Sequence, residues 1–326
     1  MILRVICAVA AFLLAAAVIF FIAAYVCYAL AFKVSKKEKS DYLNYPIDEQ
    51  YKPHREKSLK MIKEALAVPY EPVEIIASDG AKLFGKYYKA VNGDENAPLM
   101  LMFHGYKSLA ERDFSGGLKI SLNGGFQVIL VDQRACGKSG GRCVTFGVKE
   151  SDDCLCWVNY AAKRFGKQTK IILYGMSMGS ATVLAASNLS LPENVAGIVA
   201  DCGFTSPSAI IKKVLGDINL PVSLSYFFVR AGGKIYGGFD LEDSSAVNAL
   251  KNCELPVLFI HGESDKFVPC DMSRENHSAC KCKNKTLLTV PGAGHGISFM
   301  VDEPAYLTAL SKFLSQTLNR EIIMHE

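Results

Sequence analysis

The 326-residue chain is half hydrophobic and carries 36 basic against 32 acidic side chains, a formal charge of +4. Residues 1–40 hold five of the basic side chains (Arg4, Lys33, Lys36, Lys37, Lys39) and one acid (Glu38), so the other 286 residues balance at 31 of each sign. A neutral body argues against a broad nucleic-acid-binding face, which needs clustered Lys and Arg, and a charged fraction of only 21% excludes a disordered chain.

Residues 5–32 form a run of 28 with no charged side chain. Roughly 20 apolar residues cross a bilayer core, so this run can span one with tilt. Tyr25 and Tyr28 lie near its C-terminal end, where aromatic rings suit the interface. A cleaved signal peptide competes with this reading, since Ala29-Leu30-Ala31 offers a small-residue cleavage site. The run is much longer than the roughly 7–15 residues of a signal h-region, and residues 1–32 are therefore expected to be an uncleaved transmembrane anchor. Four lysines follow the run and only Arg4 and the α-amino group precede it, which directs the C-terminal domain to the cytoplasm. Nine of the 11 Cys lie outside the run. An odd number cannot all pair within the chain, and a body of this size needs no disulfide staples. Sequons at Asn188, Asn276 and Asn284 point the other way, but such triplets are common by chance. Cys154-x-Cys156 and Cys280-x-Cys282 lack the C-x₂₋₄-C spacing and the His pair of a structural zinc site, so no metal is expected.

Residues 33–56 are polar and charged and read as a juxtamembrane linker ahead of a catalytic-sized body, 57–326. Residues 58–66 have helical spacing. A hairpin is predicted from 72–77 and 82–89 around Ser78-Asp79-Gly80. Apolar runs at 99–103, 127–131, 170–174, 195–200, 256–260 and 286–290 read as buried strands. Amphipathic helices are predicted at 152–164, 178–187, 272–279 and 304–318. The class is α/β, an eight-stranded, mostly parallel sheet with helices on both faces. Residues 203–252, between the sixth and seventh strands, are too long for an ordinary connection and read as a short helical lid. Its aromatics, Phe204, Tyr226 and Phe227 among them, either bind substrate or form the lid's own core.

The strand at 170–174 runs into Gly175-Met176-Ser177-Met178-Gly179 and then a helix. A serine on such a turn sits in strained backbone, and glycines two positions either side let strand and helix pack closely. The helix N-terminus points free N–H groups at developing negative charge. Gly137-Lys138-Ser139-Gly140-Gly141 fits the same pattern without the strand and helix, so Ser177 is the expected nucleophile and Ser139 a loop residue. His295, in the glycine-rich loop after the last strand, is the expected base. Asp265, after the penultimate strand, is the expected acid, with Glu263 in the same loop and Asp201 after the preceding strand as rivals. The order Ser177, Asp265, His295 suits a hydrolase built on this sheet. Backbone N–H groups of Met178 and Tyr106 are the expected oxyanion donors. His104, beside Gly105 at a strand end, reads as a loop-shaping residue.

With the His104-Gly105 loop, Asp132-Gln133-Arg134-Ala135-Cys136-Gly137-Lys138-Ser139, the elbow at 175–179, the acid loop at 261–269 and Gly294-His295-Gly296 in this order over residues 70–318, the chain resembles the α/β-hydrolase superfamily. The nearest likeness is to its bacterial serine-aminopeptidase-like and monoacylglycerol-lipase-like branch. Ala135 departs from the glycine that branch usually has there. The resemblance implies a serine hydrolase without a cofactor, acting on lipid or small carboxylic esters, with a peptidase of the same fold or a non-catalytic binding module as alternatives. The implied partners are an acyl substrate and the membrane, with no nucleic acid.

Overall fold

A computed structural model describes residues 1–91 and 93–325. Helices α1 (Ile2–Phe32) and α2 (Arg55–Ala67) precede the sheet. The hairpin β1 (Glu71–Ile76) and β2 (Lys82–Tyr88) is followed by β3 (Leu99–Phe103), α3 (Ala110–Asp113), α4 (Ser115–Asn123) and β4 (Gln127–Asp132). Then come α5 (Val148–Phe165), β5 (Ile171–Met176), α6 (Met178–Ala186) and β6 (Val195–Asp201). A lid follows, made of α7 (Pro207–Asp217), α8 (Val222–Gly232), a π-helical turn at Gly233–Gly237 and α9 (Ala246–Leu250). β7 (Val257–Gly262), α10 (Cys270–Ala279), β8 (Lys285–Val290), α11 (Ser298–Val301) and α12 (Glu303–Leu318) complete the fold.

The strands form one sheet in the order β1-β2-β4-β3-β5-β6-β7-β8. The two pairings made by β2 are antiparallel and the other five are parallel. Central strands are apolar at every position because both faces are covered. In β3, Leu99, Leu101 and Phe103 pack with Trp157 and Val183, while Met100 and Met102 pack with Phe114 and Leu310 on the opposite face. All eight strands fall where the predicted hairpin and the six apolar runs place them. Helices α3 and α4 escaped prediction because Gly116 and Gly117 dilute the apolar spacing of a short segment. Helix α5 starts earlier than its spacing predicts because Glu150 caps it, accepting from Thr145 N–H at 2.7 Å and Gly147 N–H at 2.8 Å.

The strand order reverses at β3, with β4 on one side and β5 on the other. The crevice outside the carboxyl ends of β3 and β5 is where such sheets place their ligands.

The N-terminus departs from a simple anchor plus linker. The most apolar stretch of α1 is wholly exposed, but its last third is part of the body, with Ala24, Tyr28 and Phe32 buried. A Cβ on Gly232 would overlap the Ala24 carbonyl oxygen and lie 3.0 Å from Tyr28 Cβ, so α8 crosses α1 at close range through that glycine. Residues 33–56 lie back over the sheet's carboxyl end instead of leading away from it. Arg112 donates to Asn44 O at 3.2 Å and Tyr51 Oη to His295 O at 2.9 Å. The polar composition of this segment masks three tyrosines: the Tyr45 and Tyr51 rings meet at 5.8 Å and Tyr42 covers Lys86.

A Cβ on Gly179 would overlap the Phe103 carbonyl oxygen, and one on Gly175 would overlap Gly179 O. Backbone atoms at the centre of a sheet cannot swing aside. Gly179→Ala is therefore expected to cost about 3 kcal/mol or more, which lowers Tm by about 6–12 °C. Calorimetry of the variant beside wild type tests this, and a Tm within about 2 °C of wild type would mean that the elbow tolerates a side chain.

Candidate active site

Ser177 ends β5 and caps α6 with φ 55° and ψ −115°, a region that non-glycine residues rarely occupy. Two bonds hold it there: Ser177 N–H donates to Asp201 O at 2.8 Å, and Ala181 N–H donates to Ser177 O at 3.1 Å. The residue is 6% exposed, with its Oγ at the floor of a cleft.

His295 follows β8 and reaches this serine. Its Nε2 lies 2.9 Å from Ser177 Oγ and its Nδ1 lies 2.6 Å from Asp265 Oδ2. Asp265 receives four donors. Oδ2 takes His295 Nδ1–H and His261 Nε2 at 3.1 Å, while Oδ1 takes Phe267 N–H at 2.9 Å and Val268 N–H at 2.8 Å. Burial alone would push its carboxyl up, but the hydrogen bonds from His261 and His295 outweigh it and hold the group well below the usual carboxylate range. An ionised acid and a fixed ring leave His295 Nε2 aimed at Ser177.

His261 went unassigned in the sequence. Its Nε2 is 2.9 Å from Val268 O, which can only accept, so Nε2 carries a hydrogen that Asp265 shares. Its Nδ1 meets Ser273 Oγ at 2.6 Å, which ties the acid loop to α10. The available signal was a His at the end of an otherwise apolar strand, Val257-Leu-Phe-Ile-His261.

The rivals lie elsewhere. Glu263 accepts from Thr289 Oγ1 at 2.8 Å at the surface. Asp201 accepts from Tyr306 Oη at 2.8 Å, away from the His295 ring nitrogens. Buried Ser139 accepts from Phe84 N–H at 2.8 Å and so braces its loop against β2. His104 Nε2 accepts from Gln133 N–H at 3.0 Å and its Nδ1 meets Gly105 O at 2.8 Å. Burial lowers its pKa and keeps the ring neutral. The Asp132–Ser139 stretch is scaffolding as well. Arg134 makes a forked pair with Asp153 at 2.6 and 2.7 Å and reaches Asp79 at 2.9 Å. Ala135, at φ 62°, occupies a left-handed position that explains a preference for glycine there.

Met178 opens α6, where the first N–H groups lack helical acceptors. Gly105 lies against Ser177, since a Cβ on it would sit 3.3 Å from Ser177 Cβ. Its N–H donates to Asp113 Oδ2 at 2.7 Å, which fixes the loop that carries Tyr106.

From Ser177 and His295 a cleft of about 520 Å³ runs between α2, α4 and α12. Met61, Phe114, Tyr174, Phe299 and Leu310 form an apolar wall, and Asn44, Gln50 and Tyr51 roof it. The size suits a small-molecule ligand. Phe204, Tyr226 and Phe227, the lid aromatics considered for substrate binding, are absent from this lining. Phe204 is buried near Phe146, Tyr226 donates to Glu242 at 2.6 Å, and Phe227 packs on Phe20 with ring centroids 5.9 Å apart. They serve the lid's own core and its seat on α1, a role that composition alone could not separate from ligand contact.

Asp201 offers a pH test. Its Oδ1 has no partner among the described residues, and burial pushes the carboxyl up to about 6 despite the Tyr306 hydroxyl. The folded state therefore keeps this proton to higher pH than the unfolded chain does. The site favours folding at low pH, and that contribution is lost as the pH rises from about 4 through 6. Asp201→Asn cannot ionise, so it should gain about 2–3 kcal/mol relative to wild type between pH 4 and pH 7. Paired urea titrations at pH 4, 5.5 and 7 measure it. A difference that does not change with pH would mean that Asp201 is ionised throughout.

The α/β-hydrolase-fold family model matches residues 98–246. The chain is 26% identical over 202 residues to the Bacillus subtilis protein YqkD, which covers 60% of this chain and 65% of that one. It is 25% identical over 266 residues to the bifunctional esterase/perhydrolase DCH of Acinetobacter calcoaceticus, across 68% of this chain and 92% of that one. Among solved structures it is similar to the Pyrococcus furiosus esterase Pf2001, with a TM-score of 0.61 at 24% identity, covering 78% of this chain and 95% of the other. That identity speaks to fold alone. With the sheet order, the β5–α6 elbow and the matched family model in agreement, the chain has the α/β-hydrolase fold.

Proposed function

We propose that this chain is a membrane-anchored serine hydrolase that cleaves acyl esters. The observation that carries the reading is the unbroken line Ser177 Oγ, His295 Nε2, His295 Nδ1, Asp265 Oδ2, with gaps of 2.9 and 2.6 Å. His295 takes the Ser177 proton as Oγ attacks the ester carbonyl, and Asp265 holds the ring and offsets its positive charge. Met178 and Tyr106 N–H groups face the oxyanion. His295 then protonates the departing alcohol, leaving an acyl-Ser177. A water that gives a proton to the same ring attacks that acyl group, and the ring returns the proton to Ser177 Oγ as the carboxylic acid leaves. This chemistry draws on no cofactor.

The apolar cleft and the esterase named among the relatives favour ester substrates, lipid or small. Retention of α1 as an anchor is supported by its packing, because cleavage near residue 31 would remove the Ala24 and Tyr28 contacts with the lid. Beside Phe20, the lid exposes Ile218, Leu220, Leu224 and Phe227, the last at 54%, which extends the apolar surface of α1.

Full-length protein in detergent should react with a fluorophosphonate probe, and Ser177→Ala should abolish the labelling. An unlabelled wild type would point to a binding module. Asp265→Asn should lower kcat by about 10⁴ while circular dichroism shows the fold retained. On graded p-nitrophenyl esters beside aminoacyl amides, hydrolysis of the esters is expected, and turnover of the amides alone would make the protein a peptidase. Membrane pellets washed at alkaline pH should retain the full chain.

A further inference from the structure

The end of α1 is joined to the loop that carries a proposed oxyanion donor. The helix closes at Lys33 in extended backbone (φ −75°, ψ 141°), so its last carbonyls need partners from outside the helix. The catalytic body supplies three in a row. Lys107 Nζ donates to Leu30 O at 3.1 Å, Tyr106 Oη to Ala31 O at 2.6 Å, and Val144 N–H to Phe32 O at 3.0 Å.

Two of these donors are consecutive residues of the β3–α3 loop. That loop has little slack. Lys107 is held at φ 48°, a left-handed conformation unusual for a residue with a side chain. Gly105 is pinned by Asp113 on one side and lies against Ser177 on the other. The Tyr106 ring stacks on Phe146 at 4.7 Å, and Phe146 meets Phe32 of α1 at 5.9 Å. The Lys107 ammonium also sits at the negative end of the α1 dipole, with Glu38 4.0 Å away. Burial pushes the Tyr106 phenol up, so it stays a hydrogen donor.

We propose that the C-terminal turn of α1 is a working part of the oxyanion hole. By bonding Ala31 O, the Tyr106 side chain fixes the place of its own backbone N–H, and the docked apolar helix thereby sets the rate of turnover. This rests on the serine-hydrolase reading and deepens it: the anchor couples membrane seating to transition-state stabilisation. Tyr106 O–H and Lys107 are positioning groups that act through the loop backbone.

The test uses the full chain in detergent with p-nitrophenyl butyrate. Tyr106→Phe keeps the ring and its stacking and removes only the hydroxyl. Loss of a whole oxyanion donor costs 10²–10³ in kcat, so a donor that is loosened but still present should cost about tenfold. KM should stay within about twofold, and binding of an alkyl boronic acid, a mimic of the tetrahedral adduct, should weaken in parallel with kcat. Lys107→Met should act in the same direction, and the double variant should exceed either. Tyr236→Phe is the control. It removes another bond to α1, from Tyr236 Oη to Phe21 O at 3.0 Å, ten residues before Ala31 in the helix, and kcat should hold.

Wild-type kcat in both Tyr106→Phe and Lys107→Met would overturn the proposal. So would an equal fall in Tyr236→Phe, which would show that α1 docking matters only for the fold. Fluorophosphonate labelling separates the two levels. If wild type labels and turns over while Tyr106→Phe is unaffected, this inference alone falls; if wild type neither labels nor turns over, the hydrolase reading falls and takes this one with it.

Discussion

Ser177 cannot relax. Its backbone at φ 55° survives only because β5, α6 and β3 are packed so closely that Gly175 and Gly179 have no room for a Cβ. The rest of the site follows from that packing. Parallel register pairs Phe103 with Gly175 and Met176 with Asp201, so the loop after β3 and the end of β6 flank Ser177. The same register pairs Gly262 with Val290, which brings the acid loop and the His295 loop out at the same edge. Ser177, Asp265 and His295, from three distant stretches of sequence, meet because their strands run parallel and end together.

Two buried carboxylates approach this centre, and their surroundings drive them apart. Asp265 collects four donors and stays ionised despite its burial. Asp201 receives one hydroxyl and leaves Oδ1 bare, so burial wins and its carboxyl is pushed up to about 6. Donor count decides between otherwise similar residues. The consequence is a division of labour: Asp265 supplies the charge that orients His295, and Asp201 acts through its backbone, with its carbonyl accepting the Ser177 N–H.

The strands were legible because a sheet covered on both faces demands unbroken apolar runs, and few other segments of this chain meet that demand. The elbow was legible because its glycines answer a local steric need. Asp265 and His295 could be placed by chain order, since each follows a strand at the same sheet edge. His261 was not legible, as nothing in Val257-Leu-Phe-Ile-His261 says that the ring turns back onto a residue four positions later. The lid aromatics allowed two readings because burial in a lid and contact with a ligand demand the same residue types; in the structure Tyr226 bonds within the lid and Phe227 packs on α1. Residues 33–56 were the least legible. Their roof over the cleft depends on a few tyrosines and main-chain bonds that leave no period in the sequence.

The charge excess of the N-terminus and the length of its helix combine into one geometric constraint. At 1.5 Å per residue the 31 residues of α1 extend about 46 Å, whereas a bilayer core needs only about 20 residues. If the exposed part from Ile2 spans the bilayer, as proposed, it is used up near Ile22, and the remaining turns are the ones that pack on the lid and end at Tyr106. Those ten residues place the oxyanion loop about 15 Å beyond the hydrocarbon edge. Aromatic contacts join α1 to the lid at two levels, Phe20 with Phe227 of α8 and Phe32 with Phe239 beyond the π-helical turn, so on that reading the exposed Leu224 and Phe227 lie at the level where α1 leaves the lipid. Lys33 is drawn back along α1, donating to Tyr25 at 2.8 Å, which leaves Lys36, Lys37 and Lys39 as the cations available to the membrane surface. A helix joined to the body along its last third cannot tilt on its own. On that reading the body must tilt with it, and that rigidity would keep the cleft at a set height above the membrane.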